Sequence, residues 1–497
     1  MNDFGVWSVL PPVMAVTLAL LTRQIVLSLL VGIWAGFVIL QSGNPILGTL
    51  ATLDGLVQVF DDPGNTRVIL FTFLVGGMIA LIQRSGGVAG FILRIVGLLE
   101  RIGTRQADRG NRRVVEITAV LTGMLLFIES NISSLTVGTL FRPVFDKLKI
   151  PREKLAYIAD STSAPSCILF PFNAWGAYIV GLIAAQGIDS ASTVLVSAVL
   201  YNFYPMLAIA LMIIIILSRK DYGEMAAAER RAESEGKILR DGAVPMVSNE
   251  ISMLEMKQGL TPSAANLAWP LLSMVALMPM FLMYTGWAGA QEALPGVKGL
   301  ALAGKAMAEG SGSKAVLYSV SGAILVAMAL YRVRGVLRIR EMVDLILRGM
   351  AGMLQMALVM TLAFAIGSLS RELGTGQYVA DLTSPWISPA LVPALIFLVS
   401  SFIAFSTGTS WGTFAIMIAI AVPMAQGMDT NVSLAIAAAL GGGVFGDHCS
   451  PTSDTSLISS MAASSDHIDH VRTQLPYALT AGIFAFSLYL ILGILTP

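Results

Sequence analysis

The chain has 497 residues, of which 55% are hydrophobic and only 12% are charged, and its formal net charge is zero. A mean hydropathy of +0.76 excludes an ordinary soluble domain, in which about a quarter of the residues are charged. The balanced charge gives no sign of nucleic-acid binding, and two cysteines are too few for a disulfide framework. The composition therefore indicates a multi-pass protein of the lipid bilayer.

The first half, residues 1–217, consists of apolar runs separated by polar loops. The region at about 113–148 is interrupted by the polar stretch ESNISSLTVG, which predicts a re-entrant hairpin. A second polar stretch, IADSTSAPSC, interrupts the apolar run at about 152–184. A membrane-spanning helix needs about 20 apolar residues, so spans are predicted at about 4–21, 25–41, 68–83, 152–184 and 190–217.

The second half, residues 264–497, shows the same order of elements. A second hairpin is predicted at about 390–426, with STGTSWGTF at its tip, and the polar stretch GGGVFGDHCSPTSDTSLISS interrupts the helix that follows. The basic segment 218–263 is predicted to be a cytoplasmic linker between the halves. The spans of this half are predicted at about 264–284, 314–331, 343–369, 431–464 and 475–495.

The two halves are predicted to be inverted repeats. An offset of 287 residues aligns Arg84 with Arg371 and Asp160 with Asp447. Five crossings in each half require the second half to be inverted, which is the architecture of many secondary transporters. We therefore predict an all-α membrane protein of about ten spans, with two hairpins and two helices unwound in mid-membrane.

The orientation follows from the distribution of lysine and arginine. Arginines cluster in 84–113 and 332–341, and arginines and lysines cluster in 218–262, whereas 42–67 contains only Arg67. Because cytoplasmic loops carry an excess of these residues, the pattern predicts an inner (cytoplasmic) membrane protein with both termini outside.

Four polar breaks are predicted inside the apolar segments, at 129–136, 160–166, 406–412 and 446–456. Unpaired backbone survives at that depth only when it is buried in protein or faces water. The breaks are rich in Ser, Thr, Asn, Asp and Gly, and hard cations such as Na⁺ prefer oxygen ligands. An unwound mid-membrane ion site explains this composition.

The intramembrane carboxylates carry the chemical hypothesis. Ionisable groups in apolar segments are costly to bury and mark functional sites, and here they are Glu129, Asp160, Asp447 and Asp454. A carboxylate that accepts either Na⁺ or a proton supplies the minimal chemistry of antiport. Structural alternatives stay open: Asp160 as a helix N-cap, and Gly441–Gly443 as a packing surface or a hinge.

Other chemistries suit the motif less well. Asp447, His448 and Cys449 are adjacent, and adjacent residues rarely converge on one tetrahedral zinc ion. A hydrolase triad is disfavoured for the same geometric reason, so we expect no enzymatic activity. His467 and His470 fit either a solvated helix face or a pH sensor.

The stretch FGDHCSPTSDTSLISS, followed by SSDHIDHVRTQLPYAL, resembles the signature region of NhaC-type sodium/proton antiporters. The resemblance is dense over about 445–480 and looser in the first half, through ESNISSLTVG and IADSTSAPS. It implies Na⁺/H⁺ exchange by alternating access, without a cofactor. The family also includes sodium-coupled exchangers of small organic acids and amino acids, so the co-substrate stays open.

The predicted ion- and substrate-binding residues combine these arguments. The Na⁺ candidates are Asp447, Asp454, Asn131, Ser133 and Thr409. The alternative function is Na⁺-coupled transport of a small organic anion or amino acid at the hairpin tips, and a cation channel would be distinguished by its much larger flux. A homodimer is left open. The full set of predicted binding residues is Asp447, Asp454, Asp160, Glu129, Ser130, Asn131, Ser133, Ser134, Thr407, Thr409, Ser410, Ser453 and Thr455.

Overall fold

A computed structural model describes residues 4–495 except 23, 102–108, 128, 172, 189, 246–255, 376–377, 379–380 and 383–387. Within these residues all regular structure is helical, with 22 α-helices and three short 3-10 helices, which confirms the predicted all-α class. The helices of the first half and the linker are α1 Leu10–Thr22, α2 Ile25–Leu40, α3 Pro45–Gln58, α4 Pro63–Arg84, α5 Gly87–Arg101, α6 Arg109–Leu125, α7 Ser130–Lys147, α8 Arg152–Leu169, α9 Ala174–Ala184, α10 Ala191–Leu200, α11 Phe203–Ser218 and α12 Gly223–Glu235.

The second half contains ten of the described helices. They are α13 Ala265–Ala293, α14 Leu300–Ala308, α15 Gly312–Val333, α16 Ile339–Gly352, α17 Leu354–Glu372, α18 Val392–Thr407, α19 Ser410–Gly427, α20 Val432–Cys449, α21 Asp454–Ala463 and α22 His467–Leu495.

Eight described helices are long and apolar enough to cross a membrane, or ten if each of two bent helix pairs is counted as one span. The predicted number of about ten is therefore confirmed, and the protein is a multi-pass membrane protein. The bent pairs are α2 with α3, at 119°, and α16 with α17, at 49°. Both helices of the second predicted hairpin, α18 and α19, are themselves of spanning length, so their re-entry stays a prediction.

The helix breaks lie at slightly different positions from those predicted. The first hairpin turns between α6 and α7, and the second turns at Gly408 and Thr409. The break predicted at 160–166 is wrong, because α8 is helical from Arg152 to Leu169. Hydroxyls there bond to their own helix: Thr162 Oγ1 donates to Ile158 O at 2.7 Å, and Ser163 Oγ donates to Asp160 O at 2.8 Å. The chain unwinds instead after Leu169 and again at 450–453, after Cys449.

The limits of two helix pairs, one helix of each pair in either half, recur at a spacing of 280 residues. The starts of α7 and α19, Ser130 and Ser410, are 280 positions apart. The limits of α8, Arg152–Leu169, and of α20, Val432–Cys449, have the same separation. This spacing differs from the predicted offset of 287 residues, which instead aligns the ends of α4 and α17, Arg84 and Glu372, to within one residue. The opposite orientation of the halves stays a prediction.

Glycines allow α18 and α20 to pack backbone against backbone. A Cβ placed on Gly446 would lie 2.1 Å from Ser401 O, and one on Gly442 would lie 2.4 Å from Phe397 O. Both contacts are to main-chain atoms, which cannot move away through a change of side-chain rotamer. The packing interpretation of the glycine run therefore has direct structural support at Gly442.

We expect Gly446→Ala to lower the free energy of unfolding by about 1–3 kcal/mol, the usual cost of overpacking. The measurement is thermal unfolding of the purified protein in detergent. Gly304→Ala, in α14, is the matched control, because a Cβ there meets nothing within 4 Å. Equal stability of the two variants would show that α18 and α20 can separate at no cost.

The linker packs on the ends of α6, α8 and α22 through buried ion pairs. Lys154 of α8 lies 2.9 Å from both Asp221 and Glu229, and 3.4 Å from Glu116 of α6. Arg240, beyond α12, contacts Asp469 of α22 at 3.1 Å. The described part of the linker is thus folded against both halves, while its residues 246–255 lie outside the described residues.

Candidate functional site

A cavity of about 470 Å³ lies where the two hairpin turns meet the second helix break. The first turn contributes Glu129, Ser130 and Asn131 to the lining. The other lining residues come from the second turn, the break and the facing helices: Gln24, Val26, Tyr178, Gly352, Met353, Met356, Val359, Met360, Thr407, Gly408, Thr409, Trp411, Gly412, Thr452, Asp454 and Thr455. None of the described lining residues is basic.

Three helices begin at this cavity. Glu129 caps α7, with its Oε2 accepting from Ile132 N at 2.8 Å. Thr409 precedes α19, and Ser453 caps α21 by accepting from Ser456 N at 3.1 Å. Helix N-termini carry partial positive charge. The lining therefore combines two carboxylates, of Glu129 and Asp454, with positive helix ends.

Asp447 is buried behind the cavity wall, in the last turn of α20, with 1% of its surface exposed. Its Oδ2 accepts hydrogen bonds from Ser410 Oγ at 2.8 Å and from Thr455 Oγ1 at 3.5 Å. Ser453 Oγ lies 3.1 Å from Thr455 Oγ1. Among the described atoms Asp447 Oδ1 has no hydrogen-bond partner. A carboxylate oxygen with no partner, beside three hydroxyls, is suited to bind a small cation or a proton.

Thr455 connects this buried carboxylate to the cavity. It lines the cavity, its hydroxyl faces Asp447, and its backbone N–H donates to Asp454 Oδ1 at 2.8 Å. A water-accessible acid and a buried acid therefore lie on either side of one residue.

Asp160 occupies a separate buried junction between the halves. Its Oδ2 accepts from Ser456 Oγ at 2.6 Å and from Gln474 Nε2 at 2.8 Å, and His470 Nε2 lies 3.9 Å away. Gln474 Nε2 also donates to His448 O at 2.9 Å. The alternative role of Asp160 as an N-cap is wrong, because Asp160 lies in the middle of α8.

The structure brings most of the predicted binding residues into two adjoining groups. The first group is the buried carboxylate of Asp447 with the hydroxyls of Ser410, Ser453 and Thr455 around it. The cavity is lined by Glu129, Ser130, Asn131, Thr407, Thr409 and Asp454, together with Thr455.

Two predicted serines lie elsewhere. Ser133 Oγ donates to Gly123 O at 3.0 Å within the first hairpin, and Ser134 Oγ lies 3.4 Å from Ala159 O of α8. Neither lines the cavity. In the described parts of the chain no three His, Cys, Asp or Glu side chains are placed to hold a metal ion together.

Several contributors to the site were not predicted. Tyr178 and Trp411 pack against each other in the cavity wall, with ring centroids 4.9 Å apart and ring planes tilted by 31°. Gln474 and Ser456 complete the surroundings of Asp160. Gln474 lies in an apolar helix, where a single amide is a signal of a buried polar contact, but its partner is 314 positions away and cannot be identified from the sequence alone.

The chain is similar in sequence or in fold to known transporters and to an uncharacterized protein. The chain is 31% identical to an uncharacterized protein of Haemophilus influenzae over 99% of its own length and 92% of the relative. It is 26% identical to the malate-2H⁺/Na⁺-lactate antiporter of Bacillus subtilis over 31% of its length and 33% of that protein. The YdaH transporter of Alcanivorax borkumensis shares the fold, with a TM-score of 0.60 at 15% identity, covering 89% of this chain and 88% of that one.

The family model described as the Na⁺/H⁺ antiporter family matches residues 166–494, which include the second predicted hairpin, α20, α21 and all of α22 but its last residue. This match covers the resemblance noted in the sequence and the residues around Asp447. The chain therefore belongs to the Na⁺/H⁺ antiporter family.

Proposed function

We propose that the protein exchanges Na⁺ for H⁺ across the cytoplasmic membrane by alternating access. The observation that carries the proposal is the environment of Asp447: a fully enclosed carboxylate with one oxygen bonded to Ser410 and Thr455 and the other without a described partner. A buried carboxylate needs a compensating charge or a proton, and a single oxygen pocket can accept one or the other.

Competition for this carboxylate would couple the two ions. With Na⁺ as the bound substrate, the Asp447 carboxylate supplies the counter-charge and the hydroxyls of Ser410, Thr455 and Ser453 supply neutral oxygen ligands. With a proton bound instead, Asp447 is neutral and Na⁺ is displaced. Asp454, at the cavity surface, would attract the cation and pass it to the buried group past Thr455.

The test is ion flux in proteoliposomes. An inward Na⁺ gradient imposed on the purified protein should drive protons outward, reported by a pH-sensitive dye, and a reversed gradient should reverse the flow. Sodium flux that continues without counter-movement of protons would refute exchange, and flux far above carrier turnover would indicate a channel.

We expect Ser410→Ala to weaken Na⁺ binding about tenfold or more. The variant removes the 2.8 Å hydrogen-bonding partner of Asp447 and one oxygen ligand, and a hydrogen bond to a charged group contributes about 1.5–3 kcal/mol. The measurement is the Na⁺ concentration at half-maximal exchange. Ser487→Ala is the control, since that hydroxyl bonds to Ile483 O of its own helix. Equal half-saturation in the two variants would remove Ser410 from the site.

The cavity also favours a second candidate, Na⁺-coupled transport of a small amino acid. A volume of about 470 Å³ is far larger than one cation requires. Glu129 and Asp454 would meet an ammonium group, and the three helix N-termini would meet a carboxylate. A plain organic anion fits less well, because the described lining carries two acids and no base.

The same proteoliposomes distinguish the two candidates. Exchange would be measured with Na⁺ alone and then with a panel of amino acids and organic acids on either side. Full Na⁺/H⁺ exchange without any organic solute supports the first proposal. Sodium movement that requires one solute supports the second and identifies that solute.

A further inference from the structure

Two of the three histidines in the chain direct the same ring nitrogen at one serine hydroxyl. His467 Nδ1 lies 3.0 Å from Ser460 Oγ, and His470 Nδ1 lies 2.8 Å from the same atom. Ser460 and His470 are completely buried, whereas His467 is partly exposed. The three side chains therefore lead from the protein surface into the interior.

The outer nitrogen of each ring faces an acceptor. His467 Nε2 lies 2.8 Å from Pro451 O, which can only accept. Gln474 uses its Nε2 to donate to Asp160 and to His448 O, so its Oε1 faces His470 Nε2, at 3.1 Å. Each Nε2 must therefore carry a hydrogen, an assignment that follows from the partners. Consequently, in the resting neutral form of either ring, Nδ1 has no hydrogen; a neutral ring with its hydrogen on Nδ1 arises only after Nε2 has released its proton.

Proton counting then assigns the pair one shared proton. Ser460 Oγ also lies 2.7 Å from Ser456 O and can donate its one hydrogen there instead. With both rings neutral, this carbonyl and two bare nitrogens compete for that single hydrogen, so the two histidine contacts cannot both be satisfied. One added proton satisfies both: one Nδ1–H donates to Ser460 Oγ, and the Ser460 hydroxyl donates to the other Nδ1. A second added proton would make both imidazole rings positively charged beside the same hydroxyl, and the repulsion between the two rings opposes this state.

We propose that His467, Ser460 and His470 form a one-proton relay between the surface and Asp160. In the first step the Nδ1–H bond of His467 breaks and its proton passes to Ser460 Oγ, while the hydroxyl hydrogen passes to His470 Nδ1. In the second step His470 releases its Nε2 proton to Asp160 Oδ2. His470 returns to neutrality and Asp160 becomes neutral, so one proton moves and none is created. The 3.9 Å gap between His470 and Asp160 must shorten for this transfer.

The charges around the pair favour a single proton. Asp160 attracts a proton to His470, and Arg142 and Arg152 hold the turn between α21 and α22 by donating to Ser464 Oγ and O, which adds positive charge beside the relay. The other charged or titratable groups that face it are His448 of α20, Asp466, and Asp469 paired with Arg240. The relay deepens the proposed Na⁺/H⁺ exchange and rests on it for its physiological role.

The primary test is ¹⁵N NMR of the histidine-labelled protein in nanodiscs, which is practicable because there are only three histidines. Across a pH titration we expect the Nδ1 signals of His467 and His470 to move together, as one proton is shared. In Ser460→Ala the two signals should move separately. Ser459→Ala is the matched control: it removes a completely buried hydroxyl from the neighbouring position of α21 and should leave the shared titration intact.

Transport provides the second readout. We expect Ser460→Ala to slow Na⁺/H⁺ exchange at least tenfold, while the rise in unfolding temperature caused by Na⁺ stays unchanged, since Na⁺ binding does not use the relay. Ser460→Thr keeps the hydroxyl and should restore exchange.

The outcomes separate the relay from the proposed function. Independent titration of His467 and His470 in the unaltered protein, or unimpaired exchange by Ser460→Ala, overturns the relay. A shared titration in a protein that shows no Na⁺/H⁺ exchange supports the one-proton pair and refutes the exchange proposal instead.

Discussion

Asp447→Asn is expected to abolish Na⁺/H⁺ exchange while leaving membrane insertion and folding intact. Asparagine keeps the size of the side chain and an oxygen that can accept from Ser410, but it removes both the counter-charge and the titration. Removing one partner of a buried ion pair costs about 3–5 kcal/mol, which corresponds to a loss of Na⁺ affinity of about 100-fold or more. Proteoliposome exchange and Na⁺-induced thermal stabilisation measure the two effects.

The matched control is Asp429→Asn, which makes the same chemical change in the exposed turn between α19 and α20. The backbone φ of Asp429 is 54°, a conformation that asparagine tolerates well, so this variant should transport normally. Asp454→Asn should impair exchange nearly as much as Asp447→Asn. A folded Asp447→Asn protein with normal Na⁺ dependence and pH profile would remove Asp447 from the mechanism and leave the GDHCSP stretch a packing role.

Lys154→Met is expected to cause the largest loss of stability. The Lys154 side chain is 5% exposed and faces three acids, Glu116, Asp221 and Glu229, so its removal leaves buried negative charges together. Arg112, which contacts Glu229 at 2.6 Å, compensates only in part. We expect a loss of about 3–5 kcal/mol from the free energy of unfolding. Thermal unfolding in detergent and the folded yield measure it.

Lys237→Met is the control for this variant. Lys237 is also paired with two acids, Glu235 and Asp241, but all three side chains are well exposed, and surface ion pairs contribute little. Its unfolding temperature should match that of the unaltered protein. If the Lys154→Met variant were as stable as the unaltered protein, the acids around position 154 would have to bind protons in the folded state. The free energy of unfolding of the variant would then depend on pH in a range in which that of the unaltered protein does not.

The helices and their breaks were largely predictable, because hydropathy and polar interruptions are local properties. The turn between α6 and α7, the turn at Gly408 and Thr409, and the helix breaks after Leu169 and Cys449 all lie in the segments predicted to contain a hairpin or a broken helix. The break at 160–166 was misplaced, since Ser and Thr can bond to their own helix as well as to a ligand, and composition does not distinguish the two. The 287-residue offset matches Asp160 with Asp447 and does not align the limits of α8 and α20, which are 280 residues apart.

The site was predictable only in part, because contacts between distant segments are not encoded in local pattern. The acids and the hydroxyls near Asp447 were identified, since they lie in one short motif. Ser410 was also identified, but only as a hairpin-tip residue, and its bond to Asp447 comes from the fold. Gln474 and the position of Asp160 beside α21 and α22 depend on the packing of the two halves.

The 280-residue spacing of α7 with α19 and of α8 with α20 relates helices whose polar residues differ. By that spacing Asp447 corresponds to Cys167, and Asp160 corresponds to Leu440, while Ser410 corresponds to Ser130. A hypothetical dimer of two first halves would contain Asp160 twice and would lack Asp447. A dimer of two second halves would contain Asp447 twice and would lack Asp160. The two buried aspartates therefore lie at positions that do not correspond by this spacing, and each half supplies one of them.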